Sequence, residues 1–163
     1  MSQDVARQVV RNRRPVRLFA LLVGIVFITA GIAGFIPGLT TGYGDLAFVG
    51  PESQARLFGV FAVSILHNLV HLLFGVLGIA AFRHGMFARG YLLLGGGFYL
   101  LLSVYGVGIA ENSAANFLPL NNADDWLHLG LGAGMIALGV LGTAIERLRG
   151  TYPAPPGVSD AVG

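Results

Sequence analysis

Four stretches of the chain carry no Asp, Glu, Lys or Arg and are long enough to cross a hydrocarbon core: Leu18 to Ile36, Leu57 to Phe82, Gly90 to Ala110 and Trp126 to Ile145. About 20 apolar residues rising 1.5 Å each bridge the ~30 Å core of a bilayer. Lipid offers no water to peptide groups, so a stretch that crosses it satisfies them internally, as a helix. The windows predict an all-α integral membrane protein with four transmembrane helices in an antiparallel bundle, spanning about 18–36, 57–82, 90–110 and 126–145. The second window is the longest and is expected to tilt or to project beyond the headgroups. Composition agrees on the solvent: 11% of residues are charged and mean hydropathy is +0.73, whereas soluble domains carry ~25% charged residues.

Orientation rests on arginine, because the chain has no lysine. Arg7, Arg11, Arg13, Arg14 and Arg17 precede the first span, Arg83 and Arg89 lie between the second and third, and Arg147 and Arg149 follow the fourth; Arg56 stands on the other side. The positive-inside rule then puts both termini and the middle loop in the cytoplasm. On this reading residues 1–17 form a basic leader suited to the anionic lipids of the inner leaflet. Residues 18–149 form the transmembrane domain, and 150–163 a short disordered tail. The first apolar run exceeds a signal-peptide core and no small-residue cleavage pattern follows it, so it is expected to remain as a span. Nucleic acid is excluded as a partner, since the leader offers no folded basic surface. The absence of cysteine removes disulfides, thiolate metal sites and thiol redox chemistry.

The chain reads as duplicated. Setting Arg17 on Arg89 places Gly24 on Gly96, Gly31 on Ser103 and Gly34 on Gly106; setting His71 on His128 places Asn68 on Asp125 and Gly75 on Gly132. Each half, 18–82 and 90–145, is a helical hairpin, and two spans per repeat make this a parallel repeat about the membrane normal. Small residues at steps of three and four mark the packing faces: Gly75 and Gly78 in the second span, Gly132, Gly139 and Gly142 in the fourth, and Gly24, Gly31 and Gly38 in and after the first. Gly95, Tyr99 and Gly106 of the third span are expected to face them. Without a hydrophobic drive between helices in lipid, such faces associate by close backbone approach and by hydrogen bonds from polar side chains.

Those polar side chains are few. His67, Asn68 and His71 lie in the second span, and Asp125 and His128 at the start of the fourth. Ionisable groups within a span are costly, so they mark a candidate site by default. His67 and His71 are four apart and share a helical face, which suits a metal ion or one side of a haem, with His128 as a third nitrogen. Rising 1.5 Å per residue from the flanking arginines, His67 and His128 reach similar depth and His71 sits lower. A site on His67 and His128 is thus expected to form more easily than a haem bridged by His71 and His128. The competing reading is structural: a neutral His or Asn fixes helix register through hydrogen bonds worth ~0.6 kcal/mol. Asp124 and Asp125 suit the positive end of the fourth helix, with Asn121 or Asn122 as its cap.

Thr40-Thr41-Gly42-Tyr43-Gly44-Asp45 imitates a potassium-channel filter, but no room for a pore helix separates it from Pro37, and it is read as a Gly-rich outer turn. The runs His67-Asn68-Leu69-Val70-His71 and Leu120-Asn121-Asn122-Ala123-Asp124-Asp125-Trp126-Leu127-His128 resemble a bacterial four-span family, common in actinobacteria and catalogued as domain of unknown function 4383. The resemblance covers roughly Arg17 to Gly142. It implies a polytopic protein of the bacterial plasma membrane and brings no activity with it. The residues themselves favour, first, an accessory or structural subunit without a cofactor, in a membrane-protein complex or homo-oligomer. A redox protein binding a transition metal, haem or quinone through His67, His71 and His128 comes second, and a proton or solute path third. No nucleophile with a base, paired buried carboxylates or phosphate loop supports another kind of enzyme. Because cysteine is absent, single-cysteine variants report orientation cleanly. Glu52→Cys and Glu111→Cys are expected to react with an impermeant maleimide in intact cells and His84→Cys only after lysis; the opposite pattern would invert the topology.

Overall fold

A computed structural model describes residues 14–152; the outer part of the basic leader and most of the tail lie outside the described residues. Four helices carry the fold: α1 (Pro15–Ala33), α2 (Ile65–Ala81), α3 (Gly85–Gly108) and α4 (Asn122–Leu148). Pro15 opens α1, where its fixed φ suits the first turn and its missing N–H costs nothing. Gly150, at φ 62°, lies just past the end of α4 and adopts the left-handed conformation that helix ends favour. Helices α1, α3 and α4 are long and apolar enough to cross a membrane; α2 is a shorter apolar helix of 17 residues.

The window read as a span over 57–82 is a helix only from Ile65 onward, which is a correction to both its length and the all-α class. Residues between α1 and α2 form a small antiparallel sheet of β1 (Thr40–Thr41), β2 (Arg56–Leu57) and β3 (Phe61–Ala62), with Thr40 opposite Leu57 and Arg56 opposite Ala62. The turn from β2 to β3 places Phe58 and Gly59 at φ 52° and 71°, a left-handed pair that no helix accommodates. Ser64 then caps α2, its Oγ accepting from the His67 N–H at 3.1 Å. Ala33, Ala55, Leu57 and Val63 bury one another beneath this sheet, with Leu46 and Phe61 at the margin. Apolar composition alone did not distinguish this loop domain from helix. The filter-like run splits between β1 and one turn of 3₁₀ helix, Tyr43–Asp45. Gly38, expected to pack, instead sits in the turn after α1 at φ 94° with open space beside it.

The helices associate as two antiparallel hairpins, α1 with α2 and α3 with α4, at backbone contact. A Cβ on Gly24 would lie 2.8 Å from the Gly75 carbonyl oxygen and from the Ile79 nitrogen. A Cβ on Gly96 would lie 2.8 Å from the Gly132 oxygen and 3.1 Å from the Ile136 nitrogen. Gly31 abuts Leu72 and the Asn68 carbonyl, Gly78 abuts Gly24 and Tyr91, Gly139 abuts Leu92 and Leu93, and Gly142 meets the Val16 backbone. The interior holds Phe27, Leu92, Tyr99 and Met135. Polarity is inverted relative to a soluble bundle. Leu94, Leu101, Val104 and Val107 are more than two-thirds exposed, while Asn68, His128 and Glu146 are buried. A continuous apolar exterior of this kind seeks lipid or a partner surface.

At the end bearing the α2–α3 turn, Arg17 donates to the carbonyls of Phe82 and Arg83 and covers the Phe82 ring. Arg89 pairs there with the buried Glu146. Gly96→Val is expected to lower detergent-phase stability by about 1–3 kcal/mol, the cost of overpacking. Gly97→Val, where nothing lies within 4 Å, serves as the neutral neighbour. Equal thermal midpoints for the two variants would contradict the close approach.

Candidate metal centre

The caps of α2 and α4 set the site. Ser64 starts α2 so that His67 falls in its first turn and His71 one turn further on the same face. Asn121 starts α4 with a capping box: its side chain accepts from the Asp124 N–H at 3.0 Å, and Asp124 Oδ2 accepts from the Asn121 N–H at 3.1 Å. His128 follows one turn beyond Asp124 and faces the same seam.

The three imidazoles converge. One ring nitrogen from each of His67, His71 and His128 lies within 4.8 Å of the others, and all three residues are buried. The His67 ring is 4.6 Å from His71 and 6.0 Å from His128, centroid to centroid. His67 is therefore the hub. The depth expectation that set His71 apart from the other two is replaced by a single three-membered cluster. Each Nδ1 is buried without a hydrogen-bond partner among the described residues. Buried polar atoms are nearly always satisfied, so three imidazoles of one cluster that each keep an unsatisfied nitrogen call for an explanation.

Aromatic rings floor the cluster. Phe27 and Tyr99 stack at 5.1 Å; His71 rests 5.7 Å from Phe27, and His128 rests 5.3 Å from Tyr99. Phe74 closes the edge against Tyr99 at 5.3 Å. On the loop side the backbone of Ala62 and of Pro119 lies against His67. Asn68 is pressed against Gly34 and Asp125 against Gly106, and Asp125 is not among the clustered ligands. Both Asn68 side-chain atoms and Asp125 Oδ1 also lack partners.

Sequence reasoning did not reach Phe27, the tie from Asp124 to β3, or the Arg89–Glu146 pair. Phe27 had a signal, because the register that sets Arg17 on Arg89 also sets Phe27 on Tyr99. The donor set can hold a transition-metal ion through three neutral nitrogens, which suits zinc or copper and not the hard cations that demand oxygen. Rings this close, floored by stacked aromatics, leave no slot for a porphyrin plane between them.

A bundle of membrane-compatible helices around a closed imidazole cluster is the class that this geometry defines. The chain belongs to the family described as domain of unknown function 4383 (DUF4383), which matches residues 17–141 and takes in both loops and all three histidines. No curated protein and no solved structure matches it.

Tyr99 offers a test of the aromatic floor. Its hydroxyl is buried without a partner among the described residues, so Tyr99→Phe is expected to leave thermal stability unchanged or raised, whereas Tyr99→Leu loses about 1–3 kcal/mol of packing. A matching loss in both variants would show that the hydroxyl is engaged.

Proposed function

We propose that this is a four-span protein of the bacterial plasma membrane, built from two hairpin repeats, that binds one transition-metal ion between them. The observation that carries the metal reading is the convergence of three buried imidazoles, each with an Nδ1 that has no hydrogen-bond partner among the described residues. The alternative of an accessory subunit, with these residues fixing helix register, leaves the three buried Nδ1 atoms unaccounted for. Histidine is the commonest metal ligand, and three nitrogens with an open position are a recurrent zinc arrangement. With copper the same centre supports one-electron chemistry.

Contacts that correspond under the two sequence registers support the repeat. Gly24 against Gly75 and Ile79 corresponds to Gly96 against Gly132 and Ile136. Gly75 against Ile28 corresponds to Gly132 against Leu100, and Gly34 against Asn68 to Gly106 against Asp125. The caps Ser64 and Asn121 correspond as well, as do the pairs Phe27 with His71 and Tyr99 with His128. A fourth span is supported by α2 itself, whose 17 residues rise roughly 26 Å, at the short end of what crosses a bilayer. Arg17, Arg83, Arg89 and Arg147 gather at one end, and that asymmetry supports a cytoplasmic α2–α3 turn.

Elemental analysis of the protein purified in mild detergent without chelators tests the reading. Near one zinc or copper per chain is expected, lost in His67→Gln and in His128→Gln and kept in His84→Gln. A folded, monodisperse wild-type protein that carries no metal and takes up none on dialysis against zinc would sink it.

A further inference from the structure

On the loop side of the histidines lies a cavity of about 240 Å³, lined among others by Gln54, Arg56, Glu111, Asn112, Asn116 and Asn121. That volume holds several waters at ~30 Å³ each. Its lining also includes Ala62 and Pro119, the two residues whose backbone lies against the His67 ring. One layer of backbone thus separates a polar chamber from the hub of the imidazole cluster. The opposite direction is closed by the Phe27–Tyr99 stack, with buried Leu92 and Met135 in the core around it.

The dividing layer comes from two separate loops joined by few bonds. Asp124 Oδ2 accepts from the Ala62 N–H of β3 at 3.0 Å and from the Asn121 N–H at 3.1 Å, and Asn121 Nδ2 donates to the Val60 carbonyl at 2.8 Å. The loops are also joined where the Gly50 N–H donates to the Phe117 carbonyl at 2.8 Å, and the second loop is braced internally: Asn116 donates to the carbonyls of Glu111 and Leu120 and accepts from the Leu120 N–H. Lifting β3 from the start of α4 therefore costs the Asp124 and Asn121 bonds across the layer, with the Gly50–Phe117 bond left as the hinge between the loops, and leaves both helices intact. Asp124 stands at the position that His67 occupies when α2 is set on α4. One half supplies the hub ligand and the other supplies the carboxylate that closes the lid above it.

We propose that the metal ion reaches the histidines from the extracytoplasmic side, through this chamber, and that Asp124 is the positioning residue that latches the layer between chamber and site. A hydrated divalent cation finds amide and carboxylate oxygens in the chamber, sheds water there, and passes to nitrogen when β3 lifts from the start of α4. The inference rests on the metal reading above, and its test separates the two.

Wild-type protein is loaded with zinc, reconstituted into vesicles of neutral phospholipid, and its orientation is scored by maleimide labelling of a Glu52→Cys variant reconstituted alongside. Impermeant EDTA is then added outside. The fraction of zinc stripped is expected to equal the fraction of molecules with the loops outward, and the remainder is released only when detergent opens the vesicles. Stripping that follows the opposite orientation, or that is complete irrespective of orientation, overturns the access route while leaving the metal site standing; failure to load zinc at all overturns both. In detergent, Asp124→Asn is expected to raise the rates of zinc uptake and of release to EDTA together, each by about three- to tenfold, the weight of a weakened charge-assisted pair. The ratio of the rates is expected to stay unchanged. A variant that leaves both rates unchanged, or that changes release alone and so shifts the equilibrium, would make Asp124 a structural cap only. Should Asp124→Asn not fold, the sidedness measurement on the unmodified chain decides alone.

Discussion

Backbone-to-backbone approach at glycine is the contact on which the rest of this molecule depends. Gly24 meets the Gly75 carbonyl and Gly96 meets that of Gly132, each at a distance that a Cβ would violate. Association of apolar helices gains nothing from moving hydrocarbon out of hydrocarbon, so van der Waals contact must supply the attraction, and that contact grows only as the axes close. Closing the axes also brings Phe27 onto Tyr99 and sets the histidines of α2 and α4 on the same aromatic floor. Larger residues at those glycines would part the helices that carry the imidazoles.

The polar interior follows a division of labour. At one end Arg17 donates to the carbonyls of Phe82 and Arg83, and Arg89 pairs with Glu146, although Arg89 Nε and Glu146 Oε1 have no hydrogen-bond partner among the described residues. At the other, Asp124 and Asn121 satisfy one another and the β3 strand. Between these ends the three histidines and Asn68 retain unpaired atoms. Unpartnered polar atoms thus occur at the Arg89–Glu146 end as well as in the middle, and it is the convergence of three imidazoles that sets the histidines apart.

The two hairpins also differ where it matters. The fold uses like contacts in both, yet position for position the first half carries His67 and Asn68 where the second carries Asp124 and Asp125. An exchange of that kind turns two similar hairpins into one asymmetric centre, with a nitrogen from one half at the hub and a carboxylate from the other bonded to the strand above it.

Much was legible in the chain itself. Uncharged windows located α1, α3 and α4 to within a few residues, and the cap of α4 was narrowed to Asn121 or Asn122, of which the fold uses Asn121. His67 and His71 on one face followed from helical periodicity alone. These are local properties, decided by side-chain polarity and by the 3.6-residue repeat. The start of α2 was not, because Leu57 to Val63 are as apolar in a small sheet as in a helix, and only the left-handed pair Phe58 and Gly59 and the pairing of Arg56 with Ala62 choose between them. The meeting of His67 and His71 with His128, the aromatic floor, and the tie from Asp124 to Ala62 were decided by tertiary structure. Each joins residues far apart in the chain, and their separation is set by how closely the helices pack, a quantity that no local pattern encodes.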